Sequence, residues 1–293
     1  MNKKRILIGC LLFREFTGSE MYVYELAKGL LKENYEVSIV SPNIGGRLTD
    51  IAISEGIKVY NFTTLPKNHQ FDLIHCQHVP VTQQLIKLYP TTKKICTIHS
   101  EVNQLENPVQ HSTIFNYIAI RPEIKNHLIK NFGIPENQIE VIYNPIDDTR
   151  FNTQNTKNEN AVLFVGTIDQ LRKDTIFDVL KYTKETNKEF WLVGRNHNNY
   201  LNEVIKEPHV KYYDSLYNVE SFVKNCSETA GILLGRTTIE GWMSGKPGWI
   251  YDIDLSGKIL SKELHQPPSD IEKFHSINVV KQIKEEYKKI INL

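Results

Sequence analysis

Residues 152–160 read Asn-Thr-Gln-Asn-Thr-Lys-Asn-Glu-Asn, a stretch with no apolar side chain in a chain of 293 residues. A segment like this cannot join a hydrophobic core, so it reads as a linker between two cores. The same rhythm runs on either side of it. Before it, Ile6 to Phe13 reads as a strand, and Tyr22, Val23, Leu26, Ala27, Leu30 and Leu31 then fall on one helical face. Glu36 to Val40, Ile57 to Phe62, Leu73 to Cys76, Lys94 to Ile98, Ile118 to Ile120 and Glu140 to Tyr143 continue as β-rich segments. After it, Ala161 to Val165, Phe190 to Val193 and Ala230 to Leu234 each read as a strand and end at Gly166, Gly194 and Gly235. Thr175 to Tyr182 reads as a helix, Trp249 to Tyr251 as a further strand, and about Ile277 to Ile291 as an amphipathic helix. Strand and helix in alternation predict an α/β chain with parallel sheets covered by helices. The expected division is a first domain over 1–152, a linker over 153–160 and a second domain over 161–293, with the last helix a candidate to pack back on the first domain. Parallel sheets bind ligands at the carboxyl ends of their strands, so two sheets face to face would hold one in the cleft between them.

Lys and Arg total 35 against 34 Asp and Glu, a formal net charge of +1. That balance argues against nucleic acid as a partner, because such binding rests on a broad basic face. Cys10, Cys76, Cys96 and Cys226 are scattered, with no C-x-x-C pair. They suggest neither a zinc site nor a disulfide framework and read as reduced thiols of a cytoplasmic protein. Lys3-Lys4-Arg5 ahead of an apolar run mimics a signal peptide, but Arg14-Glu15 interrupts the run and no small-residue cleavage site follows. No apolar stretch is long enough to span a bilayer. Lys281, Lys284, Lys288 and Lys289, interleaved with Glu285 and Glu286, read as the solvated face of the last helix. Peripheral contact with an anionic membrane surface, at the inner face, is the alternative.

The richest segment for chemistry runs from Ala230 to Pro247. A strand ends at Gly235, a polar turn carries Arg236, Thr237 and Thr238, and a short helix closes at Gly245-Lys246-Pro247. Such a helix start offers unpaired N–H groups and the positive end of a dipole to a phosphate. Arg236 adds a forked charge and Thr237 or Thr238 a hydroxyl. Glu240 suits the two hydroxyls of a ribose. The same residues also read as an ordinary capped surface helix. Elsewhere Thr17-Gly18-Ser19-Glu20 offers a capping box, and Gly18 suits either a phosphate-approaching loop or a plain turn. His99 follows one strand, and His75 and His78 end another; each also reads as a satisfied structural histidine.

These segments together resemble glycosyltransferase family 4, whose members have the GT-B fold of two Rossmann-like domains. Glu240 with Gly245-Lys246-Pro247 is similar to the second half of that family's donor motif. Gly18-Ser19-Glu20 resembles its G-G-x-E start. Phe71-Asp72-Leu73-Ile74-His75-Cys76 and Thr97-Ile98-His99 resemble its F-D-V-I-H and T-x-H strands. Ile139 to Asp147, followed by Arg150-Phe151, resembles V-I-x-N-G-V-D-x-x-x-F, and Phe164-Val165-Gly166 resembles F-V-G-R. The resemblance implies transfer of a sugar from a nucleotide-diphosphate sugar to a hydroxyl of a glycan or lipid-linked glycan, with retention of configuration and without a metal or other cofactor. It implies catalytic roles for His99, Arg172 and Lys173, and donor binding by Gly166 and Glu240; spacing adds Arg236 to the catalytic set, and the loop and helix start add Gly18, Gly235, Thr237 and Thr238 to the donor-binding set. It places Ser19, Glu20, His75 and His78 on the acceptor side.

Two positions depart from the family pattern. The first glutamate of the donor motif, eight residues before the second, is Ile232, and the arginine after Phe-Val-Gly is Thr167. Arg172 and Lys173 are candidates for the lysine of the basic pair that grips the diphosphate. Spacing makes Arg236 the candidate for the arginine. Asp252-Ile253-Asp254 mimics the D-x-D metal motif of the other glycosyltransferase fold, which the GT-B pattern does not need. A nucleotide-sugar epimerase and a non-catalytic partner subunit are the rival readings. A dehydrogenase is disfavoured, since no G-x-G-x-x-G follows the first strand.

Overall fold

A computed structural model describes residues 3–66, 69–151, 159–196 and 199–292. Most of the polar stretch, residues 152–158, lies outside the described residues. The chain forms two compact units. One comprises Met1–Glu15, Ser19–Pro145 and Lys273–Leu293; the other comprises Phe16–Gly18 and Ile146–Glu272. Ile146 to Phe151 therefore group with the second unit, and the final helix groups with the first.

In chain order the first stretch holds β1 (Arg5–Gly9), β2 (Leu12–Phe13), α1 (Gly18–Lys32), β3 (Glu36–Val40), β4 (Asn43–Ile44), α2 (Arg47–Ser54) and β5 (Lys58–Tyr60). It continues with β6 (Leu73–Cys76), α3 (Val79–Leu88), β7 (Lys94–Ile98), β8 (Ile114–Ala119), α4 (Pro122–Phe132) and β9 (Ile139–Val141). The second stretch holds α5 (Asp148–Phe151), β10 (Ala161–Val165), α6 (Lys173–Glu185), β11 (Glu189–Val193), β12 (Val210–Tyr213) and α7 (Glu220–Asn225). It ends with β13 (Glu228–Ile232), α8 (Arg236–Met243), β14 (Gly248–Ile253) and β15 (Ile259–His265), and α9 (Ser276–Ile291) closes the chain.

The first sheet runs β5-β3-β1-β6-β7-β8-β9, parallel throughout. The second runs β12-β11-β10-β13-β14-β15, parallel except for β15, which returns antiparallel from β14 as an edge hairpin. In each sheet the chain starts at a central strand, builds outward on one side, then crosses to the other. The switch points fall between β1 and β6 and between β10 and β13. At such a point neighbouring crossovers leave in opposite directions and open a crevice at the carboxyl edge. The central strands are buried on both faces, which is why β1, β7 and β10 read as continuous apolar runs rather than alternating ones.

The last helix is docked by specific contacts. Gly29 in α1 lets it approach, for a Cβ there would come within 2.5 Å of Val280. Lys93 Nζ donates to the Ile290 carbonyl at 3.0 Å, and Asn116 donates to Glu286 at 2.8 Å. Lys284 pairs with Glu33, Lys288 with Glu285, and Lys289 with Glu286, so much of the basic run is matched by carboxylates of the same unit. Among the described residues no helix is long and apolar enough to cross a membrane.

Beneath α9 lies a fully buried polar relay. Tyr287 Oη and His75 Nδ1 are 2.6 Å apart, His75 Nε2 and Thr97 Oγ1 are 2.6 Å apart, and Thr97 Oγ1 meets Tyr22 Oη at 3.0 Å. Burial, with a smaller push from the charge of His99, lowers the His75 pKa to about 3. His75 is thus neutral when folded, while an exposed histidine titrates near ~6.5. The stability that this difference contributes is full above about pH 6.5 and is lost as pH falls toward 3, at up to ~1.4 kcal/mol per pH unit. Urea denaturation between pH 7 and 4 should show this slope, and His75→Gln should flatten it.

Candidate active site

The carboxyl edge of the second sheet brings together most of the residues expected to bind a donor. β10 ends at Val165, and the next residue, Gly166, is crossed closely by β11. A Cβ on Gly194, whose φ is +149°, would land on the Gly166 carbonyl oxygen. A Cβ on Gly166 would in turn lie 3.5 Å from Arg172 Nε. Arg172 is held there by Asp169, which accepts from its Nη1 at 2.6 Å and from its backbone N–H at 3.1 Å. Lys173 opens α6 directly after it.

Across the switch point, β13 passes to α8 through Leu233, Leu234 and Gly235. Leu233 takes φ +54°, a left-handed backbone that a branched side chain adopts only when its surroundings hold it. Its N–H donates to the Tyr251 carbonyl at 2.8 Å, and its own carbonyl accepts from Gly235 N–H at 2.8 Å. Gly235 is the N-cap of α8 and, being glycine, supplies no side-chain cap to the first N–H groups of this helix. The helix ends in a Schellman turn: Gly245 is left-handed at φ +70°, and Lys246 N–H reaches the Gly241 carbonyl at 2.8 Å. Ile232, which stands where the family has its first donor glutamate, is the last residue of β13.

Arg236 and Glu240 form one unit. Arg236 Nε donates to Glu240 Oε1 at 2.6 Å, with only 11% and 4% of the two side chains exposed. The arginine is therefore tied to the ribose candidate. Next to this pair, Arg150 donates to Glu220 at 2.5 Å and to the Tyr217 carbonyl at 2.9 Å, and it lies over the Tyr217 ring at 4.6 Å. Phe16 packs against the same tyrosine, its ring tilted at 46° and 5.0 Å from that of Tyr217. Glu220 and Tyr217 carry no motif and were invisible in the sequence; α5, α7 and α8 must pack before they meet. Gly18 has open space around the position of a Cβ, so packing does not demand a glycine there.

The two threonines of α8 differ in what they meet. Thr237 Oγ1 donates to the Val165 carbonyl at 3.1 Å and pins the helix to β10. The Thr238 hydroxyl, expected at the donor, is buried and has no hydrogen-bond partner among the described residues. The residue is fully buried and points at the sheet, where a Cβ on Gly248 would come within 2.8 Å of its Cγ2. Asp252 and Asp254 cap a hairpin: Asp252 accepts from Ser261 at 2.7 Å, and Asp254 accepts from Ser256 N–H at 2.8 Å and Lys258 N–H at 3.1 Å. Among the described residues no three His, Cys, Asp or Glu side chains are grouped to hold a metal.

In the first unit the carboxyl edge carries a histidine cluster. His99 Nε2 lies 2.9 Å from Gln77 Oε1, and its ring meets Tyr22 edge-on at 4.8 Å and stacks on His78 at 6.3 Å. His78, at the strained φ of +60°, accepts from Leu11 N–H on Nδ1 at 3.3 Å. Its proton is thus on Nε2, which faces Glu106 Oε1 at 3.1 Å. Glu106 also accepts from His99 N–H at 3.3 Å. Burial raises the Glu106 carboxyl, but the hydrogen bond from His78 and the charges of His99 and His78 outweigh it, and its pKa ends below the ordinary value. Burial lowers His99 to about 4; Glu106 opposes this, and His78 and Arg121 add to it. Arg121 is itself paired with Glu101. His75 is a correction: it sits in the buried relay and offers nothing to an acceptor. Glu20 is another, since its buried carboxylate accepts from the N–H groups of Arg14 at 2.6 Å and Glu15 at 2.7 Å and shapes the loop after β2. Ser19 is half-buried at the start of α1.

The Gly166–Gly194 contact gives the site its sharpest steric demand. Gly194→Ala should cost about 3 kcal/mol or more, since backbone strain and a backbone clash coincide. A thermal melt measures it, and a change of under 1 °C would show that the two strand ends are not locked together.

The sequence profile of Glycosyltransferase Family 4 matches residues 16–150. No curated protein matches the chain significantly. Solved structures do. A glycosyltransferase from Rickettsia africae ESF-5 is 16% identical, with a TM-score of 0.71 and 99% of each chain covered. Anabaena Alr3699/HepE, solved with UDP-glucose, is also 16% identical, with a TM-score of 0.68 over 98% of this chain and 91% of that one. The pneumococcal O-GlcNAc transferase GtfA, solved with UDP and GlcNAc, is 9% identical, with a TM-score of 0.69 over the whole of both chains. Residues 16–150 thus match the profile of glycosyltransferase family 4, and the chain has the GT-B fold of these solved glycosyltransferases.

Proposed function

We propose that this protein is a glycosyltransferase that moves a sugar from a uridine diphosphate sugar to a hydroxyl of a glycan or lipid-linked glycan. The bond between the anomeric carbon and the β-phosphate oxygen breaks, the acceptor oxygen replaces it, and the acceptor proton is released. Charge develops on the departing diphosphate, so groups fixed around that position carry the catalysis.

The observation that carries this reading is the start of α8. Its N-cap, Gly235, has no side chain with which to cap the helix, and Arg236 stands at its first position. A cation there opposes the helix dipole, and arginine four residues before glutamate is the less favourable order for a helix pair. Helix stability does not explain this arrangement, whereas a bound diphosphate does. Glu240, buried and steered by Arg236, suits the ribose hydroxyls. Arg172 and Lys173 add positive charge after β10. Uridine as the base is supported by the UDP-bound structures of HepE and GtfA. His99 acts in the first unit with His78 stacked on its ring, and the family resemblance puts Ser19 on the acceptor side. Retention of configuration follows the family resemblance. Independence of metal is supported by the hairpin roles of Asp252 and Asp254. A cytoplasmic location is supported by four buried, unbridged cysteines.

Titration calorimetry with UDP tests the donor site. Glu240→Gln should weaken binding by about 1.5–3 kcal/mol, roughly 10- to 100-fold, with the fold intact. Unaltered affinity would remove the ribose assignment. A panel of UDP-sugars with product analysis then separates transfer to a second molecule from epimerised free sugar and from no turnover. In the same assay EDTA should leave turnover in place; activity abolished by EDTA and restored by Mn²⁺ would refute metal independence.

A further inference from the structure

Gln77 stands at the switch point of the first sheet, directly after β6. Its backbone N–H donates to the Gly9 carbonyl at 3.0 Å, which ties it to the end of β1. The residue is 1% exposed. Its amide nitrogen is buried and finds no hydrogen-bond partner among the described residues. A buried amide left half-satisfied lowers stability, and leucine or methionine would fill the same space without that penalty. Packing therefore does not account for glutamine here. The other end of the amide does have a partner, His99 Nε2 at 2.9 Å. A carbonyl oxygen only accepts, so this ring nitrogen must carry the proton.

The other neighbours of His99 fix its ring but not its tautomer. Tyr22 and His78 touch its edge and face. Glu106 takes its backbone N–H and the His78 ring, and Arg121 is engaged by Glu101. We propose that Gln77 is a positioning residue that holds the single ring proton of His99 on Nε2, so that Nδ1 presents a lone pair to a hydroxyl of the sugar substrate. This rests on the reading of His99 as an active-site residue of the glycosyltransferase. The tautomer matters because His99 is neutral at working pH: burial, His78 and Arg121 hold its pKa near 4 against the pull of Glu106. A neutral imidazole has one donor and one acceptor, and Gln77 decides which nitrogen is which.

Nitrogen NMR of the ¹⁵N-labelled full chain at pH 7 reads the tautomer directly, with His99 assigned by its absence in His99→Ala. The expected spectrum has a protonated Nε2 and a lone-pair Nδ1; a protonated Nδ1 in the unmodified protein overturns the proposal. Gln77→Leu should shift the ring signals toward the other tautomer and lower kcat/KM about tenfold, the scale of one lost neutral hydrogen bond. Gln77→Glu keeps the acceptor, so it should keep Nε2–H. Its charge should also raise the His99 pKa and move the acid limb of the pH–rate profile upward. Full activity of Gln77→Leu with a changed tautomer would refute the catalytic consequence. Full transferase activity of His99→Ala would instead refute the underlying role of His99, whatever tautomer the spectra show.

Discussion

Both sheets depend on the pairing around one central strand. β1 is flanked in parallel by β3 and β6, and β10 by β11 and β13. A parallel pair cannot be joined by a hairpin, so each neighbour is reached through a crossover, and crossovers on opposite sides of a central strand leave in opposite directions. The backbone is thereby thrown open at one edge only. Gly166, Gly194 and Gly235 lie at that edge in the second sheet, and Gly9, Gln77 and His99 in the first. The chemistry sits where the topology leaves room for it.

The two edges are built from opposite materials. The second carries arginines and is lined by backbone, with Asp169 holding Arg172 and Glu240 meeting Arg236. The pairs keep long side chains from wandering and lower the entropy lost when an anion is bound. The first edge is a buried polar network of His78, Glu106, Gln77 and His99, in which the ring protons of His78 and His99 each have an acceptor. Low dielectric strengthens such bonds and penalises each missing one. The unsatisfied amide of Gln77 stands out for that reason.

A recurrent pattern links the residues whose expected roles were revised. His75, Glu20 and Thr238 are polar residues at the right places in the chain, and each is buried; His75 and Glu20 meet hydrogen-bonding partners there, whereas the Thr238 hydroxyl has none among the described residues. Tyr287, which meets His75, lies more than two hundred positions away. Glu20 is occupied by two loop N–H groups. Thr238 faces the sheet because helical periodicity puts it on the inner side of α8, while Arg236 and Glu240, four apart, share a different face. β15 escaped notice for a related reason. It is an edge strand with six of its seven residues exposed, so it has no apolar period to read.

The sequence by itself determined the α/β class, the strands that end just before Gly166 and Gly194, and the α8 segment with Arg236 and Glu240, while β13 stops at Ile232, short of the expected end at Gly235. These are local properties: apolar runs, periodicity, and glycines where the chain must turn or pass close. Tertiary structure alone decided which polar groups face one another. It paired Arg236 with Glu240, set Gln77 against His99, brought Glu220 to Arg150, and returned α9 to the first unit to seal His75 beneath Tyr287. Those contacts join residues that are neighbours in space and strangers in sequence, because hydrogen bonds and burial act over ångströms and take no account of chain position.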